Sequence, residues 1–164
     1  MGETREMLHI EMEQQMAHVK RNMRLAAMDY AAALRDLDLK EYNVKAEHRD
    51  EIAKLHYQRD RSRAKLRIHR DQALIDAGTP EERDEIRLNF SVKLEELQNM
   101  YAEREQRQQL KLQNRMREIL RERREYQQSA RTIHADLEDK KQSIYREYMT
   151  KIEKLNNQEN NEQE

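Results

Sequence analysis

Apolar side chains recur at steps of three or four residues along almost the whole chain, with polar or charged residues between them. This spacing keeps one set of positions on a single face of an α-helix, which we call the seam. In the first half the seam comprises Leu8, Met12, Met16, Val19, Met23, Ala26, Tyr30, Ala33, Leu37, Glu41, Val44, His48, Ile52, Leu55, Arg59, Ser62, Leu66, His69 and Ala73. In the second half it comprises Ile86, Phe90, Leu94, Leu97, Tyr101, Glu105, Gln108, Leu112, Met116, Ile119, Arg123, Tyr126, Ala130, Ile133, Leu137, Lys140, Ile144, Tyr148, Ile152 and Leu155. Each half therefore predicts one long amphipathic helix.

The pattern is interrupted at the middle of the chain, where Gly78 and the single proline, Pro80, flank Thr79. Gly78 suits the left-handed backbone conformation that often follows a helix end. Thr79 can cap the next helix, Pro80 fits its first turn, and the Glu82 carboxylate can complete a capping box. These residues predict the end of one helix and the start of another around one sharp turn.

Two arms of nearly equal length around one turn predict an all-α fold, a long antiparallel two-helix coiled-coil hairpin. We expect a first arm at residues 4–77, a turn at 77–81 and a second arm at 80–155, forming one elongated domain, 1–155. Residues 156–164 contain no apolar side chain and predict a polar, disordered tail. Folding about the turn should pair positions whose numbers sum to roughly 157 or 158.

A second apolar line, which we call the outer stripe, runs along the first arm alone. It comprises Leu25, Met28, Ala32, Arg35, Leu39, Tyr42, Ala46, Arg49, Ala53, Tyr57, Asp60, Ala64, Ile68, Asp71 and Ile75. Its candidate partner-binding residues are Leu25, Met28, Leu39, Tyr42, Ala46, Ala53, Tyr57, Ile68 and Ile75. Each member lies about two positions from a seam residue, and so roughly 200° around the helix from the seam. A helix that is apolar on two opposed faces needs two neighbours. The outer stripe therefore predicts binding to protein helices, either in a larger assembly or in a homodimer with four helices.

Composition narrows the possible classes of protein. Charged residues make up 40% of the chain and apolar residues 36%, with 32 basic against 33 acidic residues. A compact domain of this length would carry more apolar mass, whereas long helices with a narrow seam need less. The absence of cysteine excludes disulfides and thiolate chemistry. No apolar run approaches the roughly 20 residues of a membrane-spanning helix, so we expect no membrane partner. We expect the protein in the cytoplasm or in a particle assembled there.

The chain offers no convincing catalytic, cofactor or metal site. Glu6 and His9 have the Glu-x-x-His spacing of di-iron bundles, but those sites need two such motifs and two further glutamates. His48 and His69 fall on the seam, where titration between about pH 5 and 8 could loosen packing. No serine or threonine stands in a nucleophile motif, and no glycine-rich turn could hold a phosphate. We also expect two paired helices to offer no concave pocket for a small-molecule substrate.

These features predict a non-enzymatic structural or assembly protein that acts as a scaffold, spacer, stalk or adaptor within a larger complex. The alternative is a nucleic-acid-associated helical protein. Its basic face would be the segment from Arg104 to Arg124, where eight basic and three acidic residues could contact phosphates. Glutamates are interleaved with these arginines, and such mixed charge is typical of a solvated coiled-coil face.

Overall fold

The computed structural model describes residues 4–163 as two long α-helices joined by a short connection. Helix α1 spans Arg5–Asp76 and helix α2 spans Pro80–Gln163, and residues 4–163 contain no β-strand. The two helices pack against each other, which confirms the predicted all-α hairpin. Residues 1–3 and 164, at the outer limits of the predicted domain and tail, lie outside the described residues.

Both helices begin after a threonine cap. At the start of α1, Thr4 Oγ1 accepts a hydrogen bond from the Met7 N–H at 3.2 Å. At the start of α2, Thr79 Oγ1 accepts a hydrogen bond from the Glu82 N–H, also at 3.2 Å, and Pro80 is the first helical residue. These bonds satisfy N–H groups that have no carbonyl partner within the first turn of a helix. The predicted roles of Thr79 and Pro80 in the turn agree with this geometry.

Gly78 departs from its predicted role in the turn. Its φ is not positive, so the residue does not adopt the left-handed conformation. The Gly78 N–H donates to Glu82 Oε2 at 2.8 Å, whereas a Schellman motif would direct it to a carbonyl of the preceding helix. The Glu82 carboxylate thus reaches the residue before the cap, and a capping box would take it to the N–H of Thr79 itself. The Glu82 side chain of α2 therefore accepts the hydrogen bond from the connection between the helices, and no residue of that connection has a left-handed conformation.

Replacing Gly78 with alanine should therefore preserve the fold and raise the free energy of unfolding by about 0.4–1 kcal/mol. An added Cβ would find Glu82 Oε2 at 3.8 Å, which is an ordinary van der Waals contact. Alanine adopts a negative φ without strain, and it restricts the unfolded chain more than glycine does. Urea unfolding followed by circular dichroism measures the change. A loss of stability would instead show that position 78 requires glycine.

The chain forms two compact units. One combines residues 4–38 of α1 with residues 121–163 of α2, and the other is Leu39–Leu120, which contains the turn. Every predicted seam residue of α1 is buried or half-buried except His69, which is exposed. On α2 the exposed exceptions are Tyr126, Ile133 and Lys140. The apolar spacing therefore identified the packed face of each helix correctly at nearly every position.

The unit that combines the outer ends of the helices has an apolar core rich in methionine. Its buried residues are Leu8, Val19, Ile144, Tyr148 and Ile152, and the half-buried Met12, Met16, Met23, Leu137, Met149 and Leu155 pack against them. Methionine suits such a place because its flexible thioether fills irregular gaps. The Tyr148 hydroxyl accepts a hydrogen bond from Gln15 Nε2 at 2.8 Å. Burial raises the pKa of Tyr148, and the Glu11 carboxylate raises it further, so the phenol stays uncharged in the core.

The end of α2 differs from the predicted disordered tail, because the helix continues to Gln163. Asn156 is half-buried, and the Arg5 guanidinium donates to Glu159 Oε2 at 2.7 Å. Extending an existing helix fixes one residue for each hydrogen bond gained, and this costs far less than starting a helix. A polar composition therefore does not end a helix whose residues find partners on its neighbour.

The unit Leu39–Leu120 has a thinner core. Val44, Tyr101 and Ile119 are its buried apolar residues. Closer to the turn, the guanidinium carbon of Arg70 lies 4.5 Å from the centroid of the Phe90 ring and covers its face. Such cation–π contacts let an arginine substitute for an apolar neighbour at a half-exposed ring.

Ion pairs between the helices show how side chains meet within each unit. In the unit with the helix ends, Arg123 donates to Asp38 Oδ1 at 2.7 Å. In Leu39–Leu120, Arg115 donates to Glu47 Oε2 at 2.7 Å. Each arginine lies about one helical turn further along α2 than the predicted pairing. The reason is that side chains tilt toward the N-terminus of their own helix, so in an antiparallel pair the contacting residues have higher numbers than the facing backbone positions.

Candidate interaction surface

The outer stripe is exposed along α1 within Leu39–Leu120. The exposed fractions are 60% for Leu39, 64% for Tyr42, 67% for Tyr57, 57% for Ile68 and 82% for Ile75. Ala53 is also exposed, whereas Ala46 is half-buried. Ala46 therefore departs from the expectation that every stripe residue lies uncovered. The large apolar residues of the stripe all point away from the seam.

The unit with the helix ends carries its own part of this exposed surface. Leu25 and Met28 are exposed, as the spacing predicted, and so are Met7 and Ile10. The sequence pattern missed the latter two because polar residues interrupt the line between them and Leu25. The exposure of Met7 and Ile10 is evident from the structure but not from the spacing of apolar residues in the sequence.

Helix α2 has no comparable line within Leu39–Leu120. The exposed large apolar residues of α2 there are Leu88, Val92, Met100, Leu110 and Leu120, with fractions of 64%, 47%, 39%, 58% and 48%. The outward positions between Val92 and Leu110 are polar and exposed, namely Glu95, Asn99, Glu103 and Gln106. The exposed apolar side chains of α2 are therefore separated, whereas those of α1 follow one another along the helix. Isolated apolar side chains are normal on a protein surface, but a row of several large exposed apolar side chains on one helix face is not.

Charged residues border the outer stripe in Leu39–Leu120. Arg59 Nε lies 3.2 Å from Asp60 Oδ1, and Arg70 lies 3.0 Å from Asp71 Oδ1. These pairs compensate the two acidic members of the stripe with neighbours from the same helix. Three other exposed charges at its border, Asp50, Arg61 and Lys65, form no ion pair within residues 4–163. The stripe thus has charges of both signs that are available to a partner.

Several arginines of the segment from Arg104 to Arg124 contact acidic side chains or an aromatic ring of the same protein. In Leu39–Leu120, Arg115 pairs with Glu47, and Arg107 lies 4.0 Å from Glu103. In the other unit, Arg123 pairs with Asp38, and Arg121 lies 3.9 Å from Glu125. Arg104 stacks over the Tyr101 ring, 5.0 Å from its centroid. Much of the positive charge is therefore used within the hairpin.

The histidines on α1 do not share one environment. His69 is exposed, which contradicts its predicted place on the seam, while His48 is half-buried and its Nδ1 lacks a hydrogen-bond partner. His56, which the sequence pattern did not single out, contacts the Glu105 carboxylate, and Arg59 Nη1 lies 4.0 Å from the same oxygen. His56 therefore links the two helices through its contact with the Glu105 carboxylate.

Leu39–Leu120 contains an open groove of about 410 Å³, which corrects the expectation that paired helices offer no concave pocket. Its lining comprises Val44, Glu47, His48, Asp50, Glu51, Lys54, Gln108, Lys111, Leu112 and Arg115. The walls are mostly charged, and no serine, threonine or cysteine lines them. The groove is therefore unlike the apolar, enclosed sites that usually hold small ligands.

Residues 4–163 contain neither a cluster of metal-ligating side chains nor a membrane-spanning stretch. Glu6 and His9 are both exposed, and no group of three or more histidine, aspartate or glutamate side chains in these residues could hold a metal ion. Neither described helix contains a stretch apolar and long enough to cross a membrane.

No protein-family model matches the chain, and no curated protein or solved structure matches it either. The exposed outer stripe is the surface that most needs a functional account.

Proposed function

We propose that the protein is a non-enzymatic structural or assembly component, a scaffold, spacer, stalk or adaptor, that binds protein helices through the outer stripe of α1. The observation that supports this most is the asymmetry between the helices in Leu39–Leu120. Each helix packs its seam, but only α1 presents a second line that is mostly apolar, interrupted by Arg49, Asp60 and Asp71. Covering such a line is favourable by roughly 25 cal/mol per Å² of apolar surface removed from water.

The side chains of the stripe fit a helical partner. Large residues such as Tyr57 and Ile68 alternate with the small Ala53 and Ala64. Large residues provide apolar area, and small ones let another helix backbone approach closely. The charged wall of the groove and its lack of a nucleophile support a role without catalysis. The location that suits such a component is the cytoplasm, or a particle assembled there.

A nucleic-acid role for the segment from Arg104 to Arg124 has weaker support, because several of its arginines are already paired with acidic residues. A salt titration against DNA or RNA separates the two functions. Binding through phosphate contacts would fall steeply as salt rises, since each contact releases counterions. Helix binding through an apolar stripe should depend only weakly on salt.

The proposal is tested by replacing Leu39, Tyr42 and Tyr57 together with glutamate. In an extract of the cells that make the protein, the wild type should sediment as a species larger than one chain. The triple variant should sediment as a single chain, with at least tenfold weaker association, because burying three unpaired carboxylates is costly. Circular dichroism should show unchanged helicity, since all three residues are exposed and point away from the seam.

The matched control replaces Leu88, Val92 and Leu110 of α2 with glutamate. These side chains have similar exposure and carry the same added charge, but they lie on the helix without a continuous stripe. The control should retain the association of the wild type. If the stripe variant sediments like the wild type, or if both variants dissociate equally, the outer stripe is not the binding surface.

A further inference from the structure

We propose that the partner of the outer stripe is a second copy of this chain, docked antiparallel about a two-fold axis at Tyr57. This inference rests on the proposed function and specifies its partner. The observations that carry it all lie on α1 within Leu39–Leu120. They are the symmetric spacing of the stripe and the arrangement of charges along one of its borders.

Two large apolar residues of the stripe, Leu39 and Ile75, are placed symmetrically about Tyr57. Leu39 precedes Tyr57 by as many residues as Ile75 follows it, about five helical turns in each direction at 3.6 residues per turn. All three side chains therefore project from the same line of the helix, and all three are exposed. The line extends roughly 27 Å to either side of Tyr57 at 1.5 Å per residue. Such a line can be laid against an inverted copy of itself.

One pair of residues between these anchors has complementary sizes when the copy is inverted. A two-fold axis at Tyr57 places Leu39 against Ile75 of the second copy and Tyr57 against Tyr57 of the second copy. Ala46 and Ile68 are equally distant from Tyr57, so the small side chain of one copy faces the large side chain of the other. A large residue facing a small one lets the helices interdigitate at that level. The inverted copy therefore makes this match twice, once on each side of the axis.

Charges along one border are complementary in the antiparallel arrangement. At 100° per residue, Asp50, Arg61 and Lys65 lie within about 80° of the Tyr57 line and on the same side of it. They are exposed and form no ion pair within residues 4–163. A two-fold axis keeps this border of one copy beside the same border of the other. Asp50 then lies between the levels of Arg61 and Lys65 of the second copy, so opposite charges meet.

A parallel pair would instead lay this border beside the opposite border of the second copy, because its two-fold axis runs along the helices. Asp50 would then lie away from Arg61 and Lys65 of the second copy. The parallel pair would also set Ile68 against Ile68 and Ala46 against Ala46 of the second copy, whereas the inverted pair matches the small residue with the large one. These differences favour the inverted copy.

The orientation is tested with single cysteines, since the natural chain contains none. Oxidation should crosslink the Tyr57→Cys variant to itself, because the axis brings the two positions together. Leu39→Cys alone and Ile75→Cys alone should not form dimers, but an equal mixture of the two should. Leu88→Cys on α2, with exposure close to that of Tyr57, gives the background from random collision. We expect the Tyr57→Cys dimer to exceed that background at least tenfold.

The border charges are tested in the same assay. Asp50→Lys should reduce the Tyr57→Cys crosslink several-fold, because it places a positive charge near Arg61 and Lys65 of the second copy. Adding Lys65→Asp to this variant should restore much of the crosslink, because the opposite pair is re-formed in reverse. If the reversed pair does not restore it, the border charges do not guide the docking.

The outcomes separate this proposal from the proposed function. Self-crosslinking of Leu39→Cys and of Ile75→Cys would establish a parallel pair and overturn the two-fold arrangement, although the stripe would still be the interface. A purified wild-type chain that sediments as a monomer at its highest soluble concentration would overturn self-association altogether. The proposed function fails only in the other experiment, when the stripe variant keeps the assembly size of the wild type in the cell extract.

Discussion

Replacing Ile119 with alanine should lower the free energy of unfolding by about 2–4 kcal/mol. Ile119 is among the most completely buried side chains of Leu39–Leu120, with 2% of its surface exposed. The substitution removes apolar contacts and leaves a cavity that two rigid helices can close only in part. Urea unfolding followed by circular dichroism at 222 nm measures the change.

The adjacent residue provides the matched control. Leu120 is 48% exposed, although it follows Ile119 directly in the sequence and has the same number of carbon atoms. Leu120→Ala should change the free energy of unfolding by no more than about 0.5 kcal/mol, and alanine is also the better helix former. Equal losses at the two positions would show that α2 is rotated about its axis from the described orientation.

Replacing Val19 with aspartate should destabilise the unit that contains the helix ends by about 3 kcal/mol or more. Val19 is 1% exposed and lies in the apolar core with Ile144 and Tyr148. An aspartate there would bury a carboxylate among apolar and methionine side chains. Ala17→Asp is the control, because Ala17 is exposed and the variant carries the same mid-helix cost of an aspartate. The difference between the two variants isolates the cost of burial.

The Val19→Asp deficit should also depend on pH. Burial disfavours the charged carboxylate, so the pKa of Asp in the folded variant lies above its unfolded value of about 3.9. A raised pKa means that the folded state binds the proton more tightly, and stability falls as pH rises through the raised value. The deficit relative to wild type should therefore be smallest near pH 4 and grow toward neutral pH. A deficit that is constant with pH would show that the carboxylate reaches solvent.

The packed face of each helix was predictable because burial follows a three- and four-residue spacing that few side chains violate. Val44 and Tyr101 lie on the predicted seam and are buried. The predicted turn was also correct in its cap, since Thr79 and Pro80 combine two signals that act locally. Such features depend on the chain within a few residues, and the sequence contains all the information they need.

Features that depend on two segments at once were harder to predict. Gly78 did not need a left-handed conformation, because the Glu82 side chain satisfied its N–H from the next helix. Residues 156–163 joined α2 because partners such as Arg5 reach them from the other end of the sequence. The contacting side chains lie about one helical turn further along α2 than the predicted pairs, because side chains tilt toward the N-terminus of their own helix. Composition and periodicity describe one helix at a time and miss such effects.

The sequence predicted which residues lie on the outer face of α1, but it did not predict how exposed each side chain is. Leu39, Tyr57 and Ile75 were placed correctly on the outer face by their spacing. Ala46 is half-buried although it has the same spacing, so spacing alone did not predict its exposure. The sequence pattern also did not identify what binds the outer stripe, because the seam explains the packing within one chain and says nothing about a partner for the second face.

The position of the turn has a consequence for the order in which the chain gains structure. Contacts between the helices span 49 residues at His56 and Glu105, 85 at Asp38 and Arg123, and 154 at Arg5 and Glu159. Pairing outward from the turn closes only a short additional loop at each step, whereas joining the ends first would meet the full closure entropy at once. During synthesis α1 emerges before any of its seam partners exist, so both of its apolar faces are open to the surrounding medium. Once α2 has been synthesised it covers the seam of α1, and the outer stripe stays exposed.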